Sequence, residues 1–508
     1  MSSISSAVLD TYLSRILGYS LTPGNFSTVT PNLPQRVALL GEVNDANQLT
    51  YDTNPYQIVS LKEAGDRYGY GSPIYNAVRI LYPQFGGGMQ GIPLIVYPQA
   101  AAVGAAAKVL SVTPTGTATA GGTVTLVING RRGLDGVAFD VNIAASDTPT
   151  IIVQKMIDAV NNVLGSTVIG TNPVATVATF TAKWKGLTSQ DINILVDVTN
   201  STLTGVTFAV TQVTAGSGTP SIAAALASFG SEWNTIICNT YGAVSSIMTS
   251  LEQFNGKPDV TAPSGRYTAI VWKPCIAITG SLLADPSSLT STRLNELTIA
   301  IAPAPLSTGL ALEAAANMTV LAALVFQNNP ELDVAGKAYP DMPTPLSIGG
   351  MSDYDTRNLI MGKGCSTVDL IAGQYVVQDF VTTYHKLGET PPQYRYPRIL
   401  NIDWNMKFGL YLIEQANVID HVIANDDDIV LADKVIKPKI MVQLLSSYAE
   451  QCVKRGILVD AKFFQESIVV GISQTNPDRL DTRYKYKRSG YARVVSTTAE
   501  AGFNFGTI

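Results

Sequence analysis

The stretch EAGDRYGYGSPIYNAVRIL, Glu63 to Leu81, decides how the first part of the chain is built. Gly69, Gly71 and Ser72 stand just ahead of an apolar-periodic run, which is the outline of a phosphate-binding loop. A dinucleotide or Walker loop needs a strand feeding directly into the glycines, and the Walker loop also needs a Gly-Lys-Ser/Thr ending. Here the residues before the glycines read as a helix. Ser60 can cap it, with Glu63 as a capping-box partner, and Gly69 would end it in a left-handed conformation. Ser72 can cap a second helix, with Pro73 at its first position. That proline removes one backbone donor an anion would want. Ile74, Ala77, Val78 and Leu81 form the apolar face of the second helix. The stretch reads as a helix-turn-helix joint rather than a nucleotide cradle.

The neighbouring segments read as buried strands. RVALLGEV from Arg36 is short and apolar and ends near Gly41, QIVS precedes the first helix, and IPLIVYPQA follows the second. Near Ala106 the composition shifts to Thr, Val, Gly and Ala. AKVLSVTPTG, GGTVTLVING, GVAFDVNIAA, VATVATFTAK, INILVDVT and GVTFAVTQVT are strand-like and bounded by turn residues. One helix interrupts them, TPTIIVQKMIDAVNNVL, with Ile151, Ile152, Met156, Val160 and Leu164 at helical spacing. From PSIAAALASFG onward, strand and helix alternate. WNTIICN, YTAIVWKPCIAITG and LTIAIAPAP are strand-like. GAVSSIMTSLEQFNG, SSLTSTRLNEL and GLALEAAANMTVLAALVFQN are helix-like. Alternation of this kind implies α/β layers, and the same sheet can take the strands before residue 106.

After TPPQYRYPRILN a last domain begins. It has one helix carrying Met406, Leu410, Ile413 and Val418, and a second with Pro438 in its first turn and Gly456 at its end. DTRYKYKRSGYARVV then shows period two: Arg483, Lys485 and Lys487 face one way, Thr482, Tyr484 and Tyr486 the other. Both ends read as extended arms. The first holds Pro23, Pro31 and Pro34, with Phe26 and Val29 as apolar anchors. The last holds Val494, Val495, Phe503, Phe505 and Ile508. The expected fold class is therefore α/β and α+β multidomain. Its expected parts are an arm at 1–33, a split α/β domain at 34–105 and 219–398, a β-rich insertion at 106–218, a compact α+β domain at 399–488 and an arm at 489–508.

Candidate chemistry is sparse. The chain has two histidines, His385 and His421, and neither sits in a nucleophile-elbow pattern or at metal-ligand spacing. A hydrolase would have to use one of them, His385 being the one to test. Asp426, Asp427 and Asp428 lack the alternating ligands and closing Glu of a Ca²⁺ loop. Cys238, Cys275, Cys365 and Cys452 lie far apart and read as buried thiols of a reducing compartment. No catalytic, cofactor or metal residues are expected. The basic run from Arg479 to Arg493 puts its cations and aromatics on opposite strand faces, which suits an acidic protein partner better than a nucleic-acid platform. A net charge of −5 points the same way. With 14% charged and 46% hydrophobic residues, much of the surface is expected to be covered by other subunits. Neither a signal peptide nor a membrane span is expected.

The ordered set of pieces resembles the contractile-tail sheath proteins of bacteriophages, most nearly the Mu-like branch. The likeness is carried by PQRVALLGEV, RYGYGSPIYNAVR, GTVTLVINGRR, AKWKGLTSQDINILV and NPDRLDTRYKYKRSGYARVV, and runs over nearly the whole chain. The resemblance implies a structural subunit, not an enzyme. Such subunits stack as hexameric rings around an inner tail tube and shorten to drive that tube through the host envelope, with baseplate and tail terminator proteins as further partners. It implies a virion tail component assembled in the host cytoplasm. It also implies that the final domain faces the tube, making Lys434, Lys437, Lys439, Lys454 and Arg455 candidates for contact with it, and that the arms add strands to neighbouring copies. A non-contractile viral shell or surface-lattice protein is the alternative.

Overall fold

Six residues in a row, Val37–Glu42 (β1), are buried at every position, and all but the final Glu42 are apolar. A strand buried on both faces has to sit in the middle of a sheet. In the computed structural model, which describes residues 31–47, 50–89, 91–259, 261–347, 353–390 and 392–503, β1 does so. Leu39 lies opposite Cys238 of the parallel strand Ile236–Asn239 on one side and opposite Val96 of the parallel strand Leu94–Gln99 (β3) on the other. Ile276–Ser281 and Ile299–Pro303 extend the sheet in parallel. Tyr56–Ile58 (β2) pairs antiparallel to β3 at the far edge. The central sheet thus takes strands from both sides of residues 109–214.

Alternate side chains divide between two cores. Val37, Leu39, Val96, Cys238 and Ile278 point to one; Ala38, Leu40, Ile95, Ile237 and Ile301 point to the other. The first face is covered by Leu61–Tyr68 (α1), Pro73–Leu81 (α2) and the long helix Ala311–Asn328. That helix lies so close to Ile276–Ser281 that a Cβ on Gly280 would meet the Ala311 carbonyl oxygen at 1.7 Å. The second face is covered by Ala223–Ala227 and Ser245–Asn255.

The joint that opened the sequence reading is built from its caps. Ser60 Oγ accepts from the Glu63 amide at 3.2 Å, and Ser72 Oγ accepts from the Tyr75 amide at 3.0 Å. Glu63 reaches back to the Val59 amide at 3.1 Å, one residue earlier than a capping box requires. Nearly all of α2 is buried, including Tyr75 and Asn76, so it is a core helix rather than one with a single apolar stripe.

Residues 109–214 hold two larger antiparallel sheets and a two-residue hairpin, Gly133–Leu134 with Val137–Ala138. One sheet has the order 207–214, 109–115, 177–182, 168–174, and the other 194–197, 122–128, 140–143. The helix Pro149–Asn161 packs on them through Ile152, Val153, Met156, Ile157 and Val160. Ile151 and Leu164, expected on its apolar face, are 44% and 65% exposed. The two chain crossings meet side by side, with Ala106 N–H donating to Ser217 O and Ser217 N–H donating to Ala106 O. The apolar core runs on without a break from these sheets into α1 and α2. Next to it, Arg79, Arg131, Glu313 and Asp341 form a four-charge cluster. Each arginine pairs with both carboxylates, and Glu313 is buried between them.

Two expectations fail here, and three features had not been foreseen. SSLTSTRLNEL reads as a helix, but only a 3-10 turn forms, Pro286–Leu289. Its hydroxyls compete for backbone groups, and Thr290 Oγ1 donates to Lys363 O. YTAIVWKPCIAITG reads as one strand, but strand begins only at Ile276. Pro274 has no N–H to give, Lys273 N–H turns back to Arg266 O, and Trp272 takes a φ of 30°. The strand Val168–Val174, the hairpin Thr367–Ile371 with Gln374–Asp379 and the helix Tyr354–Gly362 carried no strong pattern.

Two outcomes are expected. Gly71 has a φ of 80°, and a Cβ there would lie 2.1 Å from Ser166 O, whereas Gly86, at φ 91°, has open space. Gly71→Ala is expected to cost about 2–3 kcal/mol in denaturant unfolding, and Gly86→Ala about 1 kcal/mol. Glu42, at the end of β1, is 1% exposed, with one carboxyl oxygen lacking a hydrogen-bond partner. Burial, helped by the charge of Asp45, pushes its pKa up to about 8 from an ordinary 4.5. The folded state therefore holds the proton more tightly than the unfolded chain. The stability this confers is fully present below 4.5 and is lost as pH rises through about 8. Thermal melts from pH 5 to 9 are expected to show Glu42→Gln gaining on the parent as pH rises.

Candidate functional site

Each histidine turns its Nδ1 to a backbone carbonyl and not to a carboxylate. His385 is buried, with Nδ1 2.7 Å from Thr383 O, and His421 Nδ1 lies 2.9 Å from Ile419 O. Among the described residues no three His, Cys, Asp or Glu side chains converge as metal ligands. Nor is any described helix long and apolar enough to cross a membrane. Asp426 and Asp428 organise their own turn: Asp426 Oδ1 accepts from Lys439 N–H, and Asp428 Oδ2 accepts from Asn425. All four cysteines are buried free thiols, and burial raises each pKa.

The distinctive surface lies at the C-terminal end. The helices Pro397–Asn417 and Pro438–Lys454 pack together through Met406, Met441, Leu445, Tyr448 and Cys452, with Leu410, Ile413 and Val418 at the margin. On this small core sit two antiparallel ribbons, beside a short parallel pair, Val422–Ile423 with Val435–Ile436. Leu458–Val459 pairs with Lys487–Arg488, and Val469–Ile472 pairs with Leu480–Arg483, both antiparallel. Each ribbon has only two strands, so among the described residues its outer edges have no strand against them. Two-stranded ribbons are marginal alone and gain from a third strand.

The run DTRYKYKRSGYARVV, expected to be one strand, is two. It breaks at Tyr484–Tyr486 because side chains there take over the work of the ladder. Ser467 Oγ binds both the amide and the carbonyl of Lys485, at 2.8 and 3.0 Å. Tyr484 stacks on Phe464 with ring centroids 4.9 Å apart. Tyr486 Oη donates to Asp403 at 2.8 Å, and the Arg488 guanidinium grips the same carboxylate at 2.7 and 2.6 Å. Burial holds the Asp403 carboxyl above its usual range against the pull of Arg488. The two-residue alternation persists across the break, with Arg483, Lys485 and Lys487 exposed and Tyr484 and Tyr486 half-buried. Lys487 Nζ lies 2.6 Å from Asp460 Oδ2 and 4.3 Å from the centroid of the Phe463 ring.

Among the other sequence candidates, Lys434, Lys439 and Lys454 are exposed. Lys437 is turned toward the carbonyls of Asp426 and Asp428. Arg455 binds Asn32. Val494, Val495 and Phe503 are 83%, 82% and 88% exposed. Phe26, Val29, Phe505 and Ile508 lie outside the described residues. The sequence reading missed Asp403, Ser467 and Arg398, whose partners are 18 to 92 residues away in the chain. No local pattern announces such contacts.

No family model matches the chain. A curated relative does: the Mu-like prophage FluMu tail sheath protein of Haemophilus influenzae is 23% identical over 435 residues, covering 84% of each chain. Three solved structures align along nearly the whole length at TM-scores below 0.5. They are the sheath tail protein from Desulfitobacterium hafniense (TM-score 0.44, 11% identity, 94% of this chain and 100% of that one), a chain of the anti-feeding prophage baseplate (0.46, 10%, 97% and 100%) and the anti-feeding prophage helical sheath in its contracted state (0.44, 10%, 96% and 99%). The chain is thus similar, over most of its length, to a tail sheath protein of a Mu-like prophage, the resemblance its sequence carries.

Proposed function

We propose that the chain is a structural subunit of a contractile phage tail sheath, with no enzymatic role. The observation that carries this is the near full-length similarity to a Mu-like prophage tail sheath protein. In this reading, subunits stack as hexameric rings around an inner tube, attach to a baseplate and a tail terminator, and shorten to drive the tube through the host envelope. The finished particle carries the protein in its tail, after assembly in the host cytoplasm. The chain would divide into an arm at 1–33, a split α/β domain at 34–105 and 219–398, an insertion at 106–218, a tube-facing domain at 399–488 and an arm at 489–508. The neck at Ala106 and Ser217 and the separate core around Met406 and Leu445 support that division.

The two small ribbons give the assembly its chemistry. An extended segment of a second copy laid along an open ribbon edge would complete backbone pairs, each contributing about 1 kcal/mol net, with alternate side chains entering pockets. Few such bonds are made per subunit, but they repeat at every subunit of a lattice, and a peptide tether tolerates large rigid-body motion of the bodies it joins. Lys434, Lys439 and Lys454 are the cations available to an acidic tube surface.

The test is assembly of the purified full chain, followed by sedimentation and negative-stain imaging. The full chain is expected to form tubes, and a chain ending at Arg493 is expected to stay a folded monomer with an unchanged circular-dichroism spectrum. Tubes from the shortened chain would contradict strand exchange through the last segment. Images before and after triggering that show one lattice only would replace contraction with a static shell.

A further inference from the structure

Beyond its second ribbon the chain runs back along the segment by which it entered the C-terminal core. Alternating contacts hold the two together. Tyr486 and Arg488 share Asp403. Arg398 donates to the Ser489 carbonyl at 2.9 Å and to Ser489 Oγ at 2.6 Å, and lies 5.5 Å from the centroid of the Tyr491 ring. Arg493 lies 3.8 Å from the centroid of the Tyr396 ring and pairs with Asp333 and, at 3.8 Å, with Asp379. At Val494 the pattern stops: Val494 and Val495 are exposed, and no helix or strand forms from 489 to 503.

Arg493 differs from a surface ion pair. Its side chain is 15% exposed and that of Asp333 only 2%. Asp333 follows the helix Ala311–Asn328, and Asp379 ends the strand Gln374–Asp379. Neither belongs to the core beneath the ribbons. Exposed pairs add little to stability. Removing one member of a buried pair strands the other charge without a partner.

We propose that Arg493 is the positioning residue for the intersubunit tail. In ion contact with Asp333, within 3.8 Å of Asp379 and stacked on Tyr396, it fixes the point and direction at which the segment starting at Val494 leaves the molecule. The register of strand addition on a second copy is thereby set before that copy arrives. Register matters because a slip of one residue turns every side chain of a strand to its opposite face. An anchored exit also shortens the length of chain that has to be positioned on binding, which raises the effective concentration of the tail at its target. This rests on the assembly reading above and assigns the residue that controls it.

The experiment uses the full chain as parent, Arg493→Gln, Arg493→Lys and the charge-exchanged pair Arg493→Asp with Asp333→Arg. Three quantities are read on each: monomer melting temperature, chymotrypsin cleavage at Tyr491, and the lowest concentration that gives sedimenting assemblies. For Arg493→Gln, cleavage at Tyr491 is expected to quicken about tenfold, and the assembly threshold to rise about tenfold, with the monomer melt lowered by the stranded Asp333 but still a single cooperative transition. Arg493→Lys keeps the charge but loses the planar stacking on Tyr396, and falls between. The exchanged pair restores both the protection and the threshold. An Arg493→Gln chain that assembles at the parent threshold overturns the proposal. So does one whose Tyr491 stays protected, or whose lost assembly simply follows a collapsed melt that the exchanged pair does not rescue. A parent that never assembles at any concentration sinks the sheath reading instead, a result the tail-release assay on the monomer does not depend on.

Discussion

The molecule depends on one strand being hidden on both faces. β1 offers no polar side to water, so it needs a parallel neighbour on each edge and a helical layer on each face. One neighbour, β3, comes soon after it in sequence. The other, Ile236–Asn239, arrives only after residues 109–214 have been spun out as separate sheets. The excursion is possible because its two ends meet in backbone hydrogen bonds at Ala106 and Ser217, which leaves the central sheet undisturbed. It does not hang loosely. Its apolar core merges with that of α1 and α2, and Arg131 reaches Glu313 at the start of the longest helix on the main sheet.

Much of this was legible because the deciding signals are local. Ser60, Ser72 and Pro73 announce two helix starts, and the structure shows the capping bonds. Runs such as VALLGE and LIVYP can hardly be anything but buried strands. The failures have a common cause. SSLTSTRLNEL carries helical spacing, but its hydroxyls bind backbone groups elsewhere. The residues around Trp272 have strand composition but precede a proline that cannot join a ladder. Pattern reports what a segment can do, and competing partners decide what it does.

The same division runs through the candidate site. The alternation of Arg483, Lys485 and Lys487 with Tyr484 and Tyr486 is written in adjacent residues and survives in the structure. What converts the run into two ribbons and a strap is not written there. Asp403 is 83 residues from Tyr486 and 85 from Arg488. Asp333 is separated from Arg493 by the entire C-terminal core. A basic run looks like a binding face until its buried acids are known. Once they are, Arg488 and Arg493 turn inward, and only part of the run is left to meet another molecule.

The paired passage of the chain at 394–398 and 489–493 has a mechanical consequence. Tension applied at Val494 reaches Arg493 first, and part of it passes through Asp333 and Asp379 into the segment after the long helix and into a hairpin beside the main sheet. The two-residue and four-residue ladders of the ribbons lie off that load path. These short ladders are therefore spared part of the pull, which the buried ion contacts share out to the body of the molecule.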